Sequence, residues 1–395
     1  LNATSTLRSI AKNKREPLQL RKNAVQALGK IGEAAKAAIP DLRAILIDRT
    51  EDVQLRKNVA QTLGRRRVAP DALFAPDFGL QAHALVPDLG KILSDQRETI
   101  ELRQVVAETL GQMEGGAATA IPELHAVLKD QSEERTLRRL AVEVIAQVGA
   151  PAQATVPDLQ KILLDRNYSP RFRISAAIAL NNMGAVARVA VPDLCRVVQD
   201  QRNDRQVRSH AATALGKVGV GDSTAITTLQ DTLKQRQEYW QLRQAAADSL
   251  GTMGAAARTS IPTLQAISQD QRDAQVRYQV ALALIAITED LANQAQSAEQ
   301  LDEIIRVLVK AQVAMQDFHR PSAEIQCLDD LLAQIQVKKQ QGNRGTVSTS
   351  CRSFFVELRA FQIGFVLGQS KFINEFTEFS AWIYNWLSSS SMGLP

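Results

Sequence analysis

The stretch VPDLCRVVQDQRNDRQVRSHAATALGKVGV, residues 191–220, decides the fold, because close copies of it recur along most of the chain. It reads as two short helices and a turn. Pro192 at the first helical position costs no needed N–H, and Asp193 behind it meets the positive end of the helix dipole. Leu194, Val197 and Val198 make the apolar stripe of the first helix. Turn-forming side chains from Asp200 to Asp204 interrupt that stripe. Val207, Ala211, Ala214, Leu215 and Val218 then restart it at helical spacing up to Gly219. Neither helix can bury its apolar side alone.

Outward from this unit, Pro40, Pro87, Pro122, Pro157, Pro192 and Pro262 each follow Ile or Val. From Pro87 to Pro192 the step is 35 residues, and Thr227 stands where the next proline would fall. A second landmark, an apolar residue followed by arginine, stands at Arg21, Arg56, Arg103, Arg138, Arg173, Arg208, Arg243 and Arg277 and keeps the same step of 35 from Arg103 to Arg243. Two independent landmarks sharing one period, with two helices in each, predict a repeat architecture in which every unit covers its neighbour's apolar face. The expected fold class is all-α: an α-solenoid, a superhelical stack of about eight helix pairs over residues 1–288. Leu7 lies 35 residues before Leu42, so the chain reads as opening inside the first helix of a repeat, as a piece of a longer protein would.

The pattern Pro-Asp-Leu, then Asp, then apolar-Arg, then Ala-x-x-Leu-Gly resembles HEAT-like repeats, in the short bacterial form also seen in phycobilisome lyases. The resemblance covers residues 1–288. It implies the solenoid fold and leaves function open, since such repeats occur in scaffolds, lyases and nucleic-acid enzymes.

Beyond the repeats, residues 289–340 read as a C-terminal helical cap, residues 341–352 as a linker, and residues 388–395 as a disordered tail. Linker-like composition already sets in at Lys338. Residues 353–387 read as an amphipathic helix; residues 352–387 hold ten of the chain's eighteen aromatic residues, so its apolar stripe is aromatic. Phe361, Phe365, Phe372, Trp382 and Trp386 on it would pack on the solenoid, on a partner or at a membrane surface. The insertion at residues 65–82 breaks the period. Arg65, Arg66 and Arg67 beside Phe74 and Phe78 could grip an acidic partner or phosphate, or the phenylalanines could fold back and leave the arginines solvated.

Charge is uneven. Residues 1–67 carry 15 Lys and Arg against 6 Asp and Glu, which marks the amino-terminal end as a candidate basic patch. The aspartates Asp48, Asp95, Asp130, Asp165, Asp200 and Asp270 form a ladder ahead of the repeat arginines. A charge placed in every repeat reads as structural: each Asp closes a turn and accepts from an arginine fork. Glu16, Glu51, Glu98, Glu133, Asp204 and Glu238 read as answering the dipoles of the second helices.

Chemistry-bearing constellations do not emerge. The four histidines fall in different repeats without metal-ligand spacing, and no nucleophile or phosphate-loop motif is present. Cysteines 195, 327 and 351 are too scattered for a bridge framework, and Cys195 reads as a buried thiol. No catalytic, metal or cofactor residue is assigned. Second helices are expected to line a concave face. Its partner-binding candidates are Lys22, Lys57, Val105, Arg139, Leu140, Ile174, Ile178, His210 and Tyr278. That row runs from basic through apolar to polar, which suits a protein or peptide partner and argues against a nucleic-acid backbone.

The function expected is therefore a non-enzymatic protein-interaction scaffold in the cytoplasm, with peripheral membrane contact through the aromatic helix as an open alternative. The resemblance also implies a phycobilin lyase-like chromophore-attachment role or a nucleic-acid-binding one.

Overall fold

The computed structural model describes residues 2–64, 78–270, 274–316, 322–342 and 347. The Arg65–Arg67 and Phe74 portion of the insertion, the aromatic stretch 353–387 and the tail lie outside the described residues. The chain divides into two compact units, residues 1–187 and 188–395.

The first unit stacks five helix pairs: α1 (Asn2–Lys12) with α2 (Leu18–Ile31), α3 (Ile39–Ile47) with α4 (Val53–Gly64), α5 (Val86–Ser94) with α6 (Ile100–Gln112), α7 (Ile121–Lys129) with α8 (Arg135–Val148), and α9 (Val156–Leu164) with α10 (Pro170–Met183). The second holds α11 (Val191–Gln199) with α12 (Arg205–Val218), α13 (Ser223–Lys234) with α14 (Trp240–Met253), α15 (Ile261–Ser268) with α16 (Ala274–Gln294), and α17 (Ala298–Gln316) with α18 (Ser322–Gln340). No strand occurs among the described residues. Proline stands at the start of α3, α5, α7, α9, α11 and α15, as the period requires. α13 lacks it, and Asp222 caps that helix instead, accepting from the N–H groups of Thr224 at 2.9 Å and Ala225 at 3.1 Å.

A third element in the repeat escapes the two-helix reading. Short 3-10 segments, Gly32–Ala38, Gly79–Leu85, Glu114–Ala120, Ala150–Thr155, Gly184–Ala190 and Gly254–Ser260, join second helices to the next first helix. Their buried residues keep a spacing of three, as in Ala35 and Ala38, Ala117 and Ala120, Ala152 and Thr155, and Ala257 and Ser260, all fully buried. Three residues per turn is the 3-10 period. Gly32, Gly149, Gly184 and Gly254 end the preceding helices at φ between 58° and 70°, a conformation that favours glycine.

The core is a file of small and branched side chains, with Leu28, Leu42, Leu55, Leu89 and Leu102 wholly buried in the first unit and Leu194, Leu215, Leu229 and Leu250 in the second. Each such leucine contributes about 1.5–3 kcal/mol. Running through this apolar file is a row of buried arginines. Arg21 donates from Nε to the carbonyl of Ala11 at 2.9 Å and forks onto both oxygens of Glu51 at 2.8 Å. Arg56 repeats the arrangement with Leu46 and Glu98, Arg103 with Leu93 and Glu133, and Arg208 with Val198 and Glu238. Arg138 donates to the Leu128 carbonyl and to the hydroxyl of Tyr168 at 3.0 Å. Glu51, Glu98, Glu133 and Glu238 are thus the arginines' buried partners from the following pair, a correction to their reading as charges that answer the dipoles of the second helices. Asp204 remains a helix cap, accepting from Gln206 N–H at 2.9 Å.

The aspartate ladder is structural, with a different donor from the one expected. Asp48, Asp95, Asp130, Asp165 and Asp200 each close their own turn, as when Asp48 accepts from Thr50 N–H at 2.9 Å and Asp95 from Arg97 N–H at 3.0 Å. A second partner is the residue after the equivalent position one pair earlier: Lys14 to Asp48 at 2.8 Å, Gln96 to Asp130 at 2.7 Å and Arg236 to Asp270 at 3.0 Å. The Lys14 and Thr50 hydrogen bonds hold the Asp48 carboxyl well below the usual carboxylate range.

Linker composition from Lys338 misleads. Lys338 belongs to α18, is 5% exposed, and donates to the carbonyls of Ala292 at 2.7 Å and Asn293 at 3.2 Å. Cys195 is a buried free thiol, whereas Cys327 is disulfide-bonded.

Removing one partner of a buried ion pair leaves an uncompensated charge at a cost of about 3–5 kcal/mol. Arg208→Ala is therefore expected to lower the unfolding free energy by about that much, read from denaturant midpoints. Arg208→Met combined with Glu238→Leu should recover most of the loss. A midpoint shift for Arg208→Ala no larger than that of the exposed Arg202→Ala would show that the fork does not hold the pairs together.

Candidate functional site

The face available to a partner is set by how closely second helices approach one another. A Cβ at Gly216 on α12 would sit 2.9 Å from Ser249 Cα on α14, and one at Gly251 would sit 3.0 Å from Ala283 Cα on α16. In the first unit Gly64 is pressed in the same way against Thr109, whose Cα would lie 3.1 Å away. These contacts bury the helix flank next to them and decide which positions reach solvent.

Positions directly after the repeat arginine stay partly at the surface from Lys22 to Gln244, and Tyr278 after Arg277 does not. Lys22, Lys57, Arg139 and Ile174 are half-buried, their stems lying on the helix packing. One residue further round, the chain turns into the seam between second helices. Val105 there is 9% exposed and buried, a correction to its placement on the open row. Leu140 and His210 are half-buried at the same register. Tyr278 is also buried, at 8% exposure, because α16 is enclosed on every side from Val276 to Ile285. Phe78 of the insertion is buried at 2% and is thus removed from the candidate grip.

The more open row lies one helical turn beyond the first and was not read from the sequence in full. Gln61, Glu108, Ile178 and Thr213 are exposed there, and Gln26, Glu143 and Asp248 half-buried. Its signal was available, since side chains four apart share a helix face. In the first unit the resulting strip begins with Lys22 and Lys57, which have no ion pair among the described residues. It continues through Gln104 and Glu108, then Arg139 paired with Glu143, and reaches Leu140, Ile174 and Ile178 on the adjoining helices α8 and α10. Ile178, at 37%, is exposed for an apolar residue of its size. In the second unit the strip is polar: Ser209 shares a 2.6 Å hydrogen bond with Tyr239, and Gln279 bonds Asp248.

Much of the amino-terminal basic excess is spent inside the fold. Arg8 and Lys12 bind Asp41 at 2.6 and 2.9 Å, and Arg43 binds Asp88 at 2.6 Å. Chemistry along the strip is sparse. Burial raises the Cys195 thiol above its ordinary value, which disfavours the thiolate. Among the described residues no three His, Cys, Asp or Glu side chains converge as a metal site would require. Residues 170–199 have the length and apolarity of a membrane span, yet Gly184 at φ 60° breaks them into α10, a 3-10 segment and α11.

Burial depresses the pKa of His210. As pH falls below the unfolded-state value of about 6.5, the unfolded chain takes up the proton before the folded one does. Stability is therefore full above that value and drains as pH drops toward the lower folded pKa. His210→Gln is expected to show a flatter change in urea midpoint between about pH 7.5 and 5 than the parent. Parallel profiles would show that His210 is not held neutral by the fold.

A family model described as HEAT repeats matches residues 121–205, 156–251 and 200–285, and one described as PBS lyase HEAT-like repeat matches residues 20–48. No curated protein sequence matches the chain. Importin beta, crystallised in an ammonium sulfate condition, is similar in structure at 14% identity and TM-score 0.50, over 88% of this chain and 51% of that one. Kap95 in its complex with Nup1 is similar at 11% identity and TM-score 0.51, over 86% of this chain and 48% of that one. The CpcE–CpcF complex of phycocyanin lyase from Nostoc matches at 19% identity and TM-score 0.28, over 79% of this chain and 94% of that one. The chain spans about half the length of the importin beta and Kap95 chains. At such identities the likeness is one of fold. With HEAT-repeat models matched at residues 20–48 and 121–285 and helix pairs throughout the described residues, the chain carries HEAT-like repeats and has an all-α solenoid fold.

Proposed function

We propose that the chain is a protein-interaction scaffold whose first unit holds a partner protein along its second-helix strip. The observation that carries this reading is the patch of Leu140, Ile174 and Ile178 on α8 and α10, apolar side chains that the solenoid core leaves partly open. Lys22 and Lys57, free of ion pairs among the described residues, supply charge steering at the other end of the same strip. A stable interface buries about 1,200–2,000 Å² in total, so contact must extend from the patch across several pairs. Solved relatives in fold include a Kap95 complex with Nup1, which is a protein partner of that protein.

A nucleic-acid partner fits poorly, because Glu108 and the Arg139–Glu143 pair interrupt the positive charge that a phosphate backbone demands. A lyase-like role rests on the repeat model matched at residues 20–48. Added bilin should then change its visible absorbance on mixing with the chain.

The test is affinity capture from extract on the immobilised full chain, beside an Ile174→Asp/Ile178→Asp variant of unchanged circular dichroism. Proteins retained by the parent should be lost at least about tenfold from the variant, given how strongly a buried charge disrupts an apolar contact. Equal retention on both would remove the strip from consideration.

A further inference from the structure

Two links between pairs lack the 3-10 segment, α12 to α13 and α16 to α17, and the second lies beside a groove. Eleven residues after the repeat arginine, Gly32, Gly149, Gly184 and Gly254 stop their helices and start a 3-10 segment. The residue at that register after Arg277 is Thr288. Its hydroxyl donates back to the carbonyls of Leu284 at 2.6 Å and Ile285 at 3.0 Å, and α16 runs on to Gln294. No 3-10 segment follows before α17. A groove of about 950 Å³ within the second unit is lined by Thr288 and by residues of α15, α16 and α17.

Its composition is amphipathic. Ile261, Leu291, Ile304 and Val307 give it an apolar floor. Arg258, Arg306 and Lys310 stand exposed along it, against a single carboxylate, Glu303. None of these three cations has an ion pair among the described residues; Arg306 spends only its Nε, on the carbonyl of Asp302 at 3.3 Å. This departs from the first unit, where Arg8, Lys12 and Arg43 on first helices are each matched by a carboxylate of the next pair. A cation left unmatched beside an apolar trough is complementary to a ligand that brings both carboxylates and apolar side chains. We propose that this groove docks an acidic amphipathic peptide segment of a partner protein, with leucine- or phenylalanine-type side chains on the floor and glutamate or aspartate facing Arg258, Arg306 and Lys310. The site is separate from the second-helix strip, and neither depends on the other.

The probe is a fluorescein-labelled helical peptide with glutamates along one side and leucines along the other, beside a twin carrying lysine for every glutamate. Both are titrated by anisotropy against the full chain. The acidic peptide should bind saturably and weaken as salt rises, the lysine twin should not bind, and Arg306→Glu/Lys310→Glu should weaken the acidic peptide at least about tenfold. The Ile174→Asp/Ile178→Asp variant should bind it as the parent does, which separates this site from the strip. Equal affinity for both peptides, no binding of either, or indifference to the charge reversal would overturn the proposal. So would binding that appears only when Glu375→Lys and Glu378→Lys are introduced, because the groove would then belong to the chain's own acidic aromatic stretch.

Discussion

A buried guanidinium that reaches back to a carbonyl of its own pair and forward to the next pair is the interaction on which the stacked pairs depend. Arg208 illustrates the logic. Its stem sits on α12, its Nε reaches the Val198 carbonyl near the end of α11, and its two terminal nitrogens grip Glu238 ahead of α14. One side chain thus ties its own two helices together and fixes the register of the next pair. A lysine could not replace it, because a point charge lacks the planar fork that meets carbonyl and carboxylate at once. Burial makes the arrangement strict. At 4% exposure the charge of Arg208 has little water to fall back on, so a shifted neighbour would leave it uncompensated. Where Tyr168 takes the carboxylate's place, Arg138 keeps a hydrogen bond to the hydroxyl and stands 5.4 Å from the ring centre, a weaker but still satisfying neighbour.

Much of this fold is legible in the sequence because each repeat restates the same constraints. Proline at a helix start, an apolar stripe at helical spacing and an arginine at fixed register survive translation into coordinates with small boundary changes. Partner identity was less legible. The glutamate that receives Arg56 is Glu98, on the far side of the insertion, and a one-dimensional reading assigned it to the nearest helix end instead. The 3-10 links were hidden for another reason: alanines at spacing three look like ordinary helix formers until their complete burial is seen. Surface phase was the hardest to read. Val105 and Leu140 share one register, yet the first is buried and the second half-open, since exposure there depends on the neighbouring helix as well as on the residue's own.

The charge distribution changes meaning in the same way. A count of basic residues near the amino terminus suggests an attractive patch, whereas the structure places Arg8, Lys12, Lys14, Arg21, Arg43 and Arg56 on carboxylates of following pairs. What remains for a partner is the residue that the ladder does not use, such as Lys22 or Lys57. On the proposed reading, the binding surface lies at positions where the period permits a side chain but no neighbour answers it.

That principle separates the two surfaces by the kind of partner each can hold. The second-helix strip offers each pair only a few side chains, on a ridge whose neighbours are pressed close by Gly64 and Gly216, so it has breadth without depth. Affinity there must accumulate over several pairs, which demands a folded or extended partner as long as the strip. The groove beside Thr288 has depth, and an apolar floor under unmatched cations can hold a short segment without help from other repeats. The arginine fork makes both possible. By fixing register from pair to pair, it holds in place the helices that frame each surface.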